Sequence, residues 1–176
     1  MFGGIFEKAI TATISLGMML FSSYQGNTPS FAQSRAFSRS NQITVQATLE
    51  NAFNEDFRQI LQSGHSVAID FTLTLRSQQS TEIISFQHIA IYDPLLCTWE
   101  LTCEEKNNRT FTIDSWNEFA NANSDFHFQK THDMETPIEV NLVASLPTVT
   151  MGQNNKSFDL MIFWNYHKPY CNVIIL

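Results

Sequence analysis

Along residues 66–76 (SVAIDFTLTLR), Val67, Ile69, Phe71, Leu73 and Leu75 occupy every second position, and Ser66, Asp70, Thr72, Thr74 and Arg76 fill most of the gaps. A period of two puts the apolar set on one face of a β-strand; helical winding would scatter it around the circumference. Burying each of these side chains contributes roughly 1.5–3 kcal/mol, so the segment is expected to anchor a core as a long antiparallel strand with one buried face. The same alternation recurs at Ile43, Val45, Ala47 and Leu49, and at Ile138, Val140, Leu142, Ala144 and Leu146, where Pro147 stops it. Phe158, Leu160, Ile162, Trp164 and Tyr166 repeat it again and predict a last long strand. Cys97, Trp99, Leu101 and Cys103 share one parity, which Phe111 and Ile113 resume after the polar stretch 104–108, predicting a hairpin of 97–103 with 109–113. Phe126 and Phe128 flank His127 in a short strand, and the apolar end YCNVIIL (170–176) should pack as a terminal strand.

One segment breaks the rule. In residues 82–92 (EIISFQHIAIY), Ile84 and Phe86 lie on one parity and Ile89 and Ile91 on the other. A β-bulge near Gln87 and His88, or burial of both faces, would account for the change of phase. Pro94 then ends the strand. Residues 77–81 are polar and of hairpin length.

Two short helices complete the pattern. Phe53, Phe57, Ile60 and Leu61 recur at helical spacing, with Asn51 or Asn54 as cap and Gly64 as stop. Ser115, Trp116, Asn117 and Glu118 read as a capping box that opens a helix of two to three turns carrying Trp116, Phe119 and Ala120. Short polar connections imply antiparallel neighbours. The fold class is therefore mainly β (α+β), an antiparallel two-layer β-sandwich-like domain with two short helices, spanning residues 43–176.

Composition narrows the picture. A chain of 176 residues that is 43% hydrophobic and 15% charged, with 15 Phe, suits a single domain with a real core. A net charge of −7 with only 10 basic residues argues against a nucleic-acid footprint.

Residues 1–32 have the layout of a secretory signal peptide. Lys8 supplies a thin basic region, AITATISLGMMLFS (9–22) an apolar one, and Ser30, Phe31 and Ala32 a small-x-small step for cleavage after Ala32. The apolar run is shorter than the ~20 residues that span a bilayer, so membrane contact would come only through an uncleaved leader. Residues 33–42 are Ser-rich and polar and are expected to form a flexible start to the mature chain. This predicts a periplasmic or otherwise secreted, envelope-associated protein.

Candidate chemistry is sparse. Cys97 and Cys103 on one strand would lie about 20 Å apart, too far to pair, and a bridge from either to Cys171 needs neighbouring strands; buried free thiols are the plainer reading. There is no CxxC, no HExxH or HxH and no GxSxG elbow. His127 and His132 with Asp133 could approach a metal, but as loop residues they are a weak signal, and the remaining histidines, His65, His88 and His167, have no ligand spacing. Glu104 and Glu105 fall in a predicted turn, where solvated charges are expected. Trp99, Trp116 and Trp164 fall on apolar parities and read as core, while Tyr92, Tyr166, His167 and Tyr170 are conceivable rims of a pocket. No residue is assigned a catalytic, cofactor-binding or metal-ligating role.

The segments ILQSGHSVAIDF (60–71), IYDPLLCTWEL (91–101), FTIDSWNEF (111–119) and EVNLVASLP (139–147) follow one another in an order that resembles an uncharacterised bacterial family, domain of unknown function 4390. The likeness covers about residues 43–166 and rests on hydrophobic spacing; Cys171 and the VIIL tail have no counterpart in it. It implies a secreted or envelope-associated protein and brings no catalytic residues. The expected function is a non-enzymatic module binding an envelope protein or glycan through a sheet face or edge. The alternatives are a carrier of a small apolar ligand between its layers and, less favoured, a hydrolase whose residues converge only in three dimensions.

Overall fold

A computed structural model describes residues 26–62, 66–151 and 156–176. Its strands are β1 (Ser30–Arg39), β2 (Gln42–Glu50), β3 (Val67–Arg76), β4 (Thr81–Asp93), β5 (Thr98–Cys103), β6 (Arg109–Ile113), β7 (Asp125–Thr131), β8 (Ile138–Ser145), β9 (Thr148–Met151), β10 (Lys156–Asp159) and β11 (Tyr170–Ile175). Helix α1 (Glu55–Gln62) lies between β2 and β3, helix α2 (Trp116–Ser124) between β6 and β7, and 3-10 turns occupy Glu104–Lys106 and Leu160–Trp164. A six-stranded sheet in the order β11-β8-β3-β4-β5-β6 faces a three-stranded sheet, β1-β2-β7, and β9 and β10 form a separate hairpin. All the pairings are antiparallel. The expected two-layer β-rich architecture with two short helices is the one observed.

β3 sits at the centre of the large sheet between β4 and β8, and its burial alternates without a fault: Val67, Ile69, Phe71, Leu73 and Leu75 are all buried. Ile43, Val45, Ala47 and Leu49 of β2, with Phe126 and Phe128 of β7, close over them from the other layer. Aromatic contacts fill the interlayer space, with Phe71 and Phe126 at 5.2 Å between centroids and Phe86 and Phe128 at 5.1 Å. A second cluster, Trp99, Trp116, Phe119 and Phe53, packs under α2. Asn54 caps α1 by accepting a hydrogen bond from the Phe57 amide through Oδ1 (2.8 Å). Gly64, the expected stop of that helix, lies outside the described residues.

Several expectations need correction. Residues 33–42 are not a loose start: they make up most of β1, paired with β2 from Ser30 to Arg39 and closed by a two-residue turn in which Ser40 and Asn41 both have positive φ. Nor does the fold begin after Ala32. Ser30, Phe31 and Ala32 pair with Glu50, Leu49 and Thr48, and the Asn27 amide donates to the Phe163 carbonyl (2.8 Å). Gly26 is wedged so closely that a Cβ there would lie 2.6 Å from the Asn165 nitrogen, at a φ of +60° that already favours glycine. The apolar core of the proposed leader, residues 9–22, lies outside the described residues.

The strand expected across 158–166 breaks at Asp159. Its side chain accepts a hydrogen bond from the Met161 amide (2.9 Å) and caps a 3-10 turn. That turn buries Leu160, Met161, Phe163 and Trp164 together, and the Trp164 indole N–H donates to the Ala52 carbonyl (3.1 Å). Cys97 is not on β5; it has a φ of +55° in the turn after Pro94 and is exposed. Ser115 does stand at the N-cap of α2, but its side chain makes no capping hydrogen bond, so only the position of the capping box is realised.

The most informative correction concerns β4. It has no bulge: each pair from Val67↔Ala90 to Arg76↔Thr81, and from His88↔Cys103 to Asp93↔Thr98, is in step. The core-facing parity runs through Ile84, Phe86, His88, Ala90 and Tyr92, and the apparent change of phase arises because a histidine takes an interior position. Ile83, Ile89 and Ile91 point to the other side.

Candidate functional site

His88 is fully buried, and the structure surrounds it with polar groups from three other elements. Its cross-strand partner on β5 is Cys103, also fully buried. Beyond Cys103 the chain turns through the 3-10 segment, which swings Glu105 back over the strand pair with its side chain shut off from solvent. Glu105 Oε2 lies 3.0 Å from His88 Nε2. On the far side of the ring, His88 Nδ1 lies 3.0 Å from the Asn123 backbone carbonyl and 3.2 Å from Asn123 Oδ1, both at the end of α2. Phe71 of β3 packs against the imidazole at 4.6 Å between centroids.

The protonation state follows from the partners. A backbone carbonyl only accepts, and so does a carboxylate, so both ring nitrogens face acceptors and both must carry protons to satisfy them. Burial alone would pull His88 below its ordinary value of 6.5. Hydrogen bonds to Cys103 and to the Glu105 carboxylate outweigh it and raise the imidazole to about 9. The pair is therefore an imidazolium–carboxylate bridge inside the protein. Glu105 Oε1 is buried without a hydrogen bond; Lys106 Nζ stands 3.8 Å away but is occupied by the Asp125 carbonyl (2.9 Å) and carboxylate (3.2 Å).

The ligand-type atoms of His88, Cys103 and Glu105 all lie within 4.8 Å of one another, which makes them the group among the described residues able to hold a metal ion. The weakly favoured set of His127, His132 and Asp133 is not brought together. His132 Nδ1 accepts the Met134 amide proton (3.2 Å), so its Nε2–H donates to Ser38 Oγ (2.8 Å), and His127 Nδ1 lies 3.4 Å from Gln46 Nε2. Glu105 was expected to be solvated and is instead interior. Nothing in the local spacing announces the group, because His88 and Cys103 meet only through strand register. The visible sign was the phase fault at His88.

A second feature is the outer face of the six-stranded sheet. Cross-strand polar pairs knit it together: Asn141 Nδ2 donates to Asn172 Oδ1 (2.6 Å), Gln87 Nε2 to Asp70 Oδ1 (2.7 Å), and Thr102 shares a hydrogen bond with Thr110 (2.9 Å). Thr74, Arg76, Glu139, Asn141 and Asn172 line a polar depression of about 280 Å³. Set among these groups are Ile83, 67% exposed, Ile91 at 42% and Ile174 at 63%. At the end of β4, Asp93 Oδ1 accepts from the Leu95 and Leu96 amides, holding a turn whose leucines are 91% and 71% exposed. Tyr92 lies on Trp99 (4.5 Å) on the inner side of β4, whereas Tyr170 is exposed on the outer side of β11, so these two do not rim one pocket.

Cys97, Cys103 and Cys171 are free thiols, and β5 and β11 are separated by three strands in the sheet. No family model, no curated protein and no solved structure matches the chain. Among the described residues no helix is long and apolar enough to cross a membrane.

Proposed function

We propose that the protein is a non-enzymatic binding module of the cell envelope or secreted space that docks a partner protein on the outer face of its six-stranded sheet. The observation that carries this reading is that Ile83, Ile91 and Ile174 are all exposed on the outer face of the six-stranded sheet, where none of the described elements buries them. Apolar side chains spread over an otherwise polar sheet face give a protein partner several separate anchoring points. A glycan would call for an aromatic platform, and among the described residues this face offers Tyr170 alone. The carrier alternative is disfavoured by the Phe71, Phe86, Phe126 and Phe128 contacts that occupy the interlayer space. The hydrolase alternative is disfavoured because His88, Cys103 and the Glu105 side chain are closed to any substrate.

An envelope location rests on the leader-like residues 1–32, with one adjustment. A cut after Ala32 would remove Gly26, Asn27 and the first pairs of β1, so a processed leader ends before Gly26.

The test is affinity capture from the native envelope extract with three immobilised chains: wild type, Ile83→Glu/Ile91→Glu, and Arg35→Glu on β1 as a control surface change. A partner protein retained by wild type and control and lost from the double variant is the expected result. Equal capture by all three, or a soluble oligosaccharide competing the partner away, would overturn it.

A further inference from the structure

We propose that His88, Cys103 and Glu105 form a binding site for one zinc-class divalent cation, placed where a proton now bridges His88 and Glu105. The donor set is an imidazole, a thiol and a carboxylate, the mixture that borderline-soft Zn²⁺ accepts. Bond lengths of about 2.0–2.1 Å to nitrogen and oxygen and about 2.3 Å to sulfur put tetrahedral ligand atoms roughly 3.3–3.8 Å apart. The observed separations, 3.0 Å between Nε2 and Oε2 and all within 4.8 Å, need shifts of only tenths of an ångström to about one.

Two features favour an ion over a passive core cluster. The Asn123 backbone carbonyl holds His88 Nδ1–H and turns Nε2 toward Cys103 and Glu105; metal-bound histidines are commonly fixed by such an acceptor on the opposite nitrogen. Glu105 Oε1 is buried with no hydrogen bond, a costly arrangement that a second carboxylate–metal bond would relieve. That bond supplies a fourth donor without any further residue. Lys106 does not block the ion, because its ammonium is hydrogen-bonded to Asp125.

Charge also balances. Neutral His88, a Cys103 thiolate and a Glu105 carboxylate together carry two negative charges, which a divalent ion cancels in an interior where a net charge is costly. Binding releases one proton from the His88–Glu105 bridge and one from the Cys103 thiol. Glu105 stands on a 3-10 turn of three residues whose Lys106 reaches the surface, so opening that turn gives the ion its way in.

The experiment uses the untagged full chain stripped with a chelator and titrated with CoCl₂ and, separately, ZnCl₂. One cobalt per chain should appear with thiolate-to-cobalt charge-transfer absorption, displaced by zinc. Cys103→Ser should abolish that absorption and weaken zinc binding at least a hundredfold, and Glu105→Gln at least tenfold. Cys97→Ser and Cys171→Ser should change neither. Absence of the charge-transfer absorption in the folded wild type, or its survival in Cys103→Ser, would overturn the site; the wild-type spectrum decides even if a variant fails to fold.

Discussion

β3 and β4 are hydrogen-bonded neighbours in an unbroken register, yet they solve opposite problems. β3 itself puts only apolar side chains on its inner side, and its outward residues are Ala68, Asp70, Thr72, Thr74 and Arg76. β4 puts a charged imidazole inside and isoleucines outside. The difference shows that alternation reports a strand reliably only where the interior is uniformly apolar. Where a strand's buried face includes a self-contained polar network and its other face leaves isoleucines exposed, the same backbone produces a pattern that looks like a fault. β3 serves stability; β4 holds both features that the fold does not need in order to close.

Breaking the β3 side should have the largest effect. Phe71→Ala removes a fully buried ring packed on both Phe126 and His88, and should cost about 3–5 kcal/mol in urea unfolding. An effect under about 1 kcal/mol would mean that the interlayer space is not packed as described.

On the β4 side, His88→Leu leaves the Glu105 carboxylate buried without its cation and should cost about 3 kcal/mol. The double variant His88→Leu/Glu105→Leu should recover most of that loss, since apolar replacement of a whole buried pair is often close to neutral. Non-recovery would show that the two residues are not coupled, and a double-mutant cycle reads the coupling directly.

The pH dependence sharpens the same contrast. In the metal-free chain the folded pKa of His88 is raised from 6.5 to about 9, so its contribution is fully present below the unfolded value and is lost as pH rises through about 9. Wild type should therefore lose stability between about pH 6.5 and about pH 9.5 relative to His88→Leu, by an amount on the order of a few kcal/mol. Histidine NMR titration gives the midpoint independently, and a midpoint near the ordinary value would remove the ion-pair assignment.

The smallest effect is expected on the outward face. Ile83→Thr should leave stability within about 0.5 kcal/mol, because the side chain is largely in water already. A large loss there would mean that Ile83 is packed rather than open to solvent.

The sequence made β3, β8 and the hairpin of β5 and β6 legible because each carries one uninterrupted alternation. α1 was legible through its apolar spacing and Asn54. Residues 33–39 were hidden because β1 is an edge strand with mixed, half-exposed faces, so serines and arginines replace the apolar parity. The 160–164 turn was hidden because a 3-10 helix in a buried corner is apolar on all sides, and its residues mimic a strand by chance. The polar site was unreadable for a different reason. His88 and Cys103 are joined by register, Glu105 by a turn, and Asn123 by the docking of α2, none of which leaves a trace in local spacing.

β2 has a consequence for how the chain comes to be assembled. Its second ladder is with β7, so contacts such as Gln46 with His127 join positions 81 residues apart. A chain emerging from its N-terminus can form the β1–β2 hairpin early, but one edge of that hairpin stays unsatisfied until residue 131 has appeared. During that interval an open, apolar ribbon is presented to every other nascent chain nearby, and shielding by a chaperone during synthesis is the natural remedy.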